Sequence, residues 1–278
     1  MPTQMLGRPI IKKQTGYSLY RPSAIAIANT LADIPFSAVK VFIYNIIIYF
    51  MSGLARNGGG FWTFHLFVYL AFLTMQGFFR SFGFMCSNFD AAFRLATFFL
   101  PNMILYVGYM IPVFQMKRWL FWIYYINPLA YAWSGITENE FGRISLACDG
   151  SYIVPRNPPG VNKYPDGVGP NQICTLYGAS AGQNSVAGRA YIDSGYGIDT
   201  DDLWRRNFLV LLGFFFLFQL TQVLLVEYYP QYFGSSGATV YAPEDDNLKA
   251  LNAVLKERKA HREANRGTED VEAGVSKE

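Results

Sequence analysis

Two histidines, His65 and His261, and three cysteines, Cys86, Cys148 and Cys174, are the side chains best suited to metal binding or nucleophilic chemistry. His65 sits in an apolar run and His261 in a charged tail. No Cys-x-x-Cys or His-x-x-x-His spacing gathers them into a ligand set, so no metal site is expected. Nucleotide chemistry needs a glycine-rich loop whose backbone N–H groups cradle phosphates, and the G-x-x-x-x-G-K-[ST] pattern does not occur. Gly58-Gly59-Gly60 reads as a turn between apolar runs, and the serines and aspartates are not read as a nucleophile–base pair. No catalytic residue is assigned, and the chain is not expected to act as an enzyme by itself.

The polar groups that do stand out are embedded in apolar sequence: Lys40, Asn45, His65, Gln76, Asn102, Gln219 and Gln222. Inside a bilayer such groups bond between helices, snorkel toward headgroups or line a pathway. Interhelical bonding or snorkelling is the reading preferred for each. Lys40 is placed within reach of the inner headgroups, and Asn102, beside Pro101, is the best pathway candidate.

The elements that carry these residues are unusual. Charged residues make up 15 % of the 278 and aromatic residues 17 %, against roughly 25 % charged in a soluble domain. The mean hydropathy of +0.14 averages very apolar runs with long polar ones. A net charge of +3, spread over separate clusters, leaves no nucleic-acid footprint. Windows 61–79, 95–116, 119–137 and 207–226 contain no Asp, Glu, Lys or Arg. Each approaches the ~20 residues that span ~30 Å of hydrocarbon. A fifth run, 34–54, contains Lys40 and Pro35. Asp33 and Pro35 read as the N-cap and first turn of its helix, and Arg80 is expected to snorkel.

Window 119–137 is packed with Trp and Tyr and broken at Asn127-Pro128. Aromatic enrichment marks an interface, and a residue before proline avoids helical geometry. The segment is read as a re-entrant pair of short helices, with a fifth crossing as the alternative. Four crossings place both termini on one side. Arg8, Lys12, Lys13 and Arg21 favour the cytoplasm for it, although Lys117, Arg118, Arg205 and Arg206 then fall outside.

A polar Gly- and Pro-rich loop over 138–202 holds Cys148 and Cys174. These are a disulfide candidate if the loop is extracellular, and two thiols if it is cytosolic. Cys86 is read as packing. In the tail, residues 243–266 run from Pro and acids to bases, the charge order of a solvated helix.

Several strings resemble fungal pleiotropic drug resistance (PDR/CDR-type) transporters of the ABC G subfamily. Tyr20-Arg21-Pro22-Ser23-Ala24 followed by Leu31-Ala32-Asp33-Ile34-Pro35 is similar to the start of their third membrane helix. FRLATFFLPNM, GYMIP, WLFWIYYINPLAYAW, ENEF, VPRNPPGVNKYP, NQICTLYGA, DLWRRNFLVL and TVYAPEDD continue the likeness from about residue 7 to 259. The resemblance implies an all-α membrane protein: an ABC-2 type transmembrane domain with four spans, a re-entrant pair and a large extracellular loop. Its parts would be a cytoplasmic segment over 1–32, a membrane domain over 33–229 and a cytoplasmic linker over 230–278. Spans are expected near 33–54, 61–85, 95–116 and 205–228, the re-entrant pair at 119–137 and the loop at 138–203.

The resemblance further implies efflux of hydrophobic drugs or lipids across the plasma membrane. ATP and Mg would be used by nucleotide-binding domains, and a second transmembrane domain is expected as partner. Phe98, Asn102 and Leu105 would line the substrate pathway, with Met110 and Ile111 at its constriction. Tyr20, Arg21 and Pro22 would belong to the segment that couples to a nucleotide-binding domain, and a Cys148–Cys174 disulfide would brace the loop. Because family members carry more domains than these, the chain is expected to be part of a longer transporter and inactive without the rest. The alternatives are a stand-alone channel or facilitator and a non-transporting membrane anchor.

Overall fold

The computed structural model describes residues 7, 10–11, 13–86, 88–156, 168–169, 171–199, 201–228, 254 and 256–258. The chain divides into two units, Met1–Ser236 and Gly237–Glu278. In the second unit the described residues, 254 and 256–258, are helical; the rest of the helix expected over 243–266 lies outside the described residues.

The first unit is mainly helical. Helix α1, Pro22–Met51, opens with Pro22 in its first turn after an extended Arg21, where a proline costs no hydrogen bond. The helix thus starts eleven residues before the Asp33 cap expected from the sequence. Pro35 lies inside it, and Asp33 is engaged elsewhere. At ~1.5 Å per residue α1 is about 45 Å long, longer than ~30 Å of hydrocarbon.

Helix α2, Gly58–Met85, begins at Asn57, whose side chain accepts from the Gly59 N–H. Helix α3 spans Phe89–Leu105, with Asp90 in its first turn facing the positive end of the dipole. The apolar window continues to 116, but the helix does not. Gly108 takes φ +101° and Pro112 is extended; both are incompatible with a continued helix. Helices α4, Phe121–Ile126, and α5, Pro128–Phe141, follow. Their break is built by Asn127 and Pro128: Asn127 Oδ1 accepts from the Leu129 N–H at 3.1 Å, and Pro128 occupies the first turn.

The polar loop folds into two small antiparallel ribbons. Strand β1, Ser145–Ala147, pairs with β4, Ser185–Ala187. Strand β2, Ile153–Val154, pairs with β3, Ile173–Cys174. Helix α6, Gly188–Tyr196, ends on Gly197 at φ +69°, the left-handed stop that glycine accommodates. A π-helical turn, Leu203–Phe208, leads into α7, Leu209–Tyr228.

Helix α2 is the hub, packing on α1, α3, α5 and α7. One core joins Phe67 and Leu70 of α2 to Tyr131 and Ala132 of α5 and Leu211 of α7. A second, at the opposite end, joins Ala26, Phe84 and Val226. Close approach is bought by small residues. A Cβ at Gly135 would overlap the Phe67 ring, and one at Gly77 would lie 3.1 Å from Gln219 Nε2. Three helical stretches, Pro22–Met51, Gly58–Met85 and Leu203–Tyr228, are long and apolar enough to cross a membrane. Helix α3, with 17 residues, is about 26 Å long and by itself falls short of ~30 Å.

Candidate functional site

Helix α3 meets α4 at an apolar cavity of about 230 Å³ lined by Phe98, Phe99, Asn102, Met103, Trp122, Ile123, Ile126 and Asn127. A polar bond joins the two walls: Asn127 Nδ2 donates to the Met103 carbonyl at 2.7 Å. That carbonyl belongs to the last turn of α3, where helix geometry leaves acceptors without partners. Within α3, Asn102 Nδ2 donates to the Phe98 carbonyl at 2.7 Å, next to Pro101. Aromatic and aliphatic walls with a few fixed amides suit a hydrophobic ligand.

Phe98 and Asn102 are therefore brought together. Leu105 is not among the lining residues and is exposed. Met110, 61 % exposed, and Ile111 lie in the irregular segment after α3 and are also outside the cavity. Phe93, Leu100 and Ile104 of α3 are exposed as well.

At the end of the bundle where α1 begins, Tyr20 donates its hydroxyl to Gln14, Arg21 is the N-cap residue of α1 and Pro22 its first residue. Asp33 forms an ion pair with Arg80 of α2 and accepts from Gln76 Nε2 at 2.9 Å. Arg80 thus answers a carboxylate on the neighbouring helix instead of reaching out to headgroups. A cavity of about 440 Å³ lies here, with Gln14, Tyr20, Asn29, Asp33 and Arg80 in its wall.

Asn45, His65, Gln219 and Lys40 also meet partners across helices, whereas Gln222 bonds within α7. Asn45 of α1 lies 2.9 Å from His65 Nδ1 of α2. Thr30 donates to Gln219 Oε1 of α7 at 2.8 Å, and Gln222 donates to the same oxygen at 3.1 Å. Lys40 Nζ sits 4.7 Å above the Phe72 ring centre, a cation–π contact.

At the opposite end, the triplet Glu138-Asn139-Glu140 fastens three elements to α5. Asn139 Nδ2 donates to the Gly60 carbonyl of α2 at 3.0 Å. Glu140 Oε1 accepts from the Ala55 N–H of the α1–α2 loop at 2.5 Å. Glu138 Oε2 accepts from Asn207 Nδ2 at 3.2 Å. Burial pushes the Glu138 carboxyl up to about 7, against the opposing pull of the Leu203 backbone, Asn207, Arg189 and Arg206. Sequence reasoning noted the triplet only as part of a resemblance; two acids beside a charge-free run were the available signal.

In the loop, Cys148 and Cys174 are joined by a disulfide (S–S 2.01 Å) and buried with Val186. Cys86 follows α2, packed near Phe82 and Ala92. One motif-like spacing escapes the sequence reading: Gly178-Ala179-Ser180-Ala181-Gly182 fits G-x-S-x-G. It lies in turns between β3 and β4, not between a strand and a helix, and so lacks the context that makes this spacing a nucleophile elbow. His65 belongs to α2, and His261 is outside the described residues.

Comparison with known families places these features. The family model described as ABC-2 type transporter matches residues 1–141, and the one described as CDR ABC transporter matches residues 154–249. ABC multidrug transporter I of Aspergillus fumigatus is 34 % identical over 262 residues, covering 94 % of this chain and 17 % of the relative. ABC multidrug transporter A-2 of the same organism is 36 % identical over 220 residues, 79 % of this chain and 14 % of the relative. ABC transporter G family member 21 of Dictyostelium discoideum is 33 % identical over 259 residues, 93 % of this chain and 17 % of the relative. The chain spans 14–17 % of the length of these curated relatives.

Proposed function

Since the chain belongs to the ABC-2 type transporter family, we propose that it forms membrane-domain structure of an ATP-driven exporter of hydrophobic compounds, drugs or lipids. The cavity between α3 and α4 carries this reading. Its wall of Phe98, Phe99, Met103, Trp122, Ile123 and Ile126 offers apolar and aromatic surface, and Asn102 and Asn127 supply amide side chains. Such a lining accepts many shapes through contact area and discriminates weakly, which suits export of diverse hydrophobic molecules.

Leu105 continues the exposed face of α3 beyond the cavity, where a second transmembrane domain would complete the pathway. Met110 and Ile111 would form its constriction. Nucleotide-binding domains would supply ATP and Mg chemistry, with Tyr20, Arg21 and Pro22 in the segment that couples to them. The proposed topology has four crossings and a re-entrant pair over 119–137. It puts both ends in the cytoplasm and the disulfide-bearing loop outside, at the plasma membrane.

A hydrophobic photoaffinity probe added to the chain in lipid nanodiscs tests the reading. Labelling concentrated on α3 and α4 and competed by unlabelled compound is the expected result. Labelling spread evenly over lipid-facing residues of α1 and α7, without competition, would count against it.

A further inference from the structure

Glu138 and Asn207 meet where α5 crosses the π-helical turn before α7, and both are withdrawn from solvent, at 6 % and 1 % exposure. One half of the Asn207 amide is used, its Nδ2 donating to Glu138 Oε2 at 3.2 Å. The other half is not: Asn207 Oδ1 is buried and finds no hydrogen-bond partner among the described residues. Buried polar atoms rarely go without a partner. A π-helical turn, moreover, is an uncommon way to begin a helix and is frequent at functional positions.

A carboxylate offers only acceptors, whereas a carboxylic acid also carries one O–H donor. A proton on Glu138 would therefore provide the donor that Asn207 Oδ1 lacks, while the Nδ2–H bond is kept. We propose that Glu138 is a proton-binding site whose neutral form closes a two-bond acid–amide ring with Asn207, clamping α5 to the π-helical turn that leads into α7, and whose ionised form keeps only the Nδ2–H bond of that ring beside its hydrogen bond with the Leu203 backbone. One proton is taken from solvent per site, only the carboxyl O–H bond is made, and its loss returns the proton to solvent.

The charged surroundings fit a balance close to neutrality. Arg189 of α6 and Arg206 of the π-helical turn face the carboxyl and favour its ionised form. Both are shared with other acids: Arg206 with Asp199 at 3.4 Å and Asp202 at 3.3 Å, Arg189 with Asp201 at 3.8 Å. On α5 itself, Glu140 is engaged by Ala55, and just past the end of the helix Arg143 donates to the Asn139 side chain. Of the titratable residues on α2, His65 is bonded to Asn45, Tyr69 to the Ile34 carbonyl, and Arg80 pairs with Asp33 at the far end. Glu227 and Tyr228 close α7, at the end of the helix away from Asn207. Tyr124 and Tyr125 of α4 and Tyr131 of α5 lie near the break between those two helices. Burial outweighs the two arginines, and the carboxyl is pushed up to about 7.

Infrared difference spectra of the chain in lipid nanodiscs, titrated from about pH 5 to about pH 9, test this directly. The unmodified chain should show a protonated-carboxyl C=O band that fades with a midpoint near 7, and Glu138→Gln should lack it. Asn207→Leu should shift the band position, because the acid loses its amide partner. Arg206→Gln should move the midpoint upward by removing a facing cation. No band that Glu138→Gln removes would overturn the proton site; an unshifted band in Asn207→Leu would overturn the ring. If Glu138→Gln does not fold, an unmoved midpoint in Arg206→Gln decides against the proposal.

Discussion

Asn127 donates its side-chain amide to the carbonyl of Met103 at 2.7 Å while its carbonyl caps α5 through Leu129. One 2 % exposed side chain thus fixes the break between α4 and α5 and holds it against the last turn of α3. Asn127→Ala removes both bonds and leaves the Met103 carbonyl and the α5 N-terminus unsatisfied. A loss of about 1–3 kcal/mol is expected, read as a lower unfolding midpoint in detergent. Because the same residue lines the cavity, binding of a hydrophobic dye should weaken as well. A variant with unchanged midpoint would mean that the bond to Met103 contributes nothing.

Gly135 is required by the Phe67 ring, which is fully buried and occupies the space a side chain at 135 would need. Gly135→Val should destabilise by about 1–3 kcal/mol, the range of core overpacking. Adding Phe67→Ala should recover part of that loss, since the two positions share one volume. Thermal unfolding of the two single variants and the double variant measures the coupling. Additive effects would show that the contact is not the cause.

Cys148 and Cys174 are 26 residues apart and tie β3 to the end of β1. A cross-link of that span restricts the unfolded chain by about 3.5 kcal/mol on the loop-entropy model. Cys148→Ser should leave α1, α2 and α7 packed and make the loop the first segment cut in limited proteolysis. Equal resistance of the variant loop would contradict this.

Glu138 also sets an expectation for stability against pH. Its carboxyl lies near 7 in the folded chain against 4.5 ordinarily, so the folded state holds the extra proton between those values. Stability from this group is complete below about 4.5, falls as pH rises toward about 7, and is level above that. Glu138→Gln should remove that slope from the unfolding midpoint. A slope unchanged in the variant would assign it to other groups.

Much of the bundle was legible because long charge-free runs have few alternatives: the helices over 61–79 and 207–226 follow directly from them. The break at Asn127-Pro128 was legible for a local reason, the geometry of the residue before proline. Where α1 begins was not. Pro22 and Pro35 are both compatible with a first turn, and only the pairing of Asp33 with Arg80 and Gln76 shows that Asp33 is interior. The C-terminal end of α3 was hidden for a similar reason, since Gly108 and Pro112 act through backbone geometry that apolar composition does not register. Of the pathway residues, Phe98 and Asn102 reach one cavity because they share a face of α3. Met110 and Ile111 depart from it because the helix has already ended. The Glu138–Asn207 contact joins residues far apart in sequence, which no spacing could reveal.

The cavity between α3 and α4 carries the functional reading, and an equilibrium titration of a hydrophobic fluorescent dye against the chain in lipid nanodiscs tests it most directly. Saturable binding is expected, weakened about tenfold or more by Phe98→Ala, the effect of losing roughly 1.4 kcal/mol of buried aromatic contact. Phe36→Ala, on an exposed face of α1 outside the cavity, should bind like the unmodified chain. Binding that is absent, or that Phe98→Ala and Phe36→Ala leave equally intact, would contradict a hydrophobic-ligand site at α3 and α4.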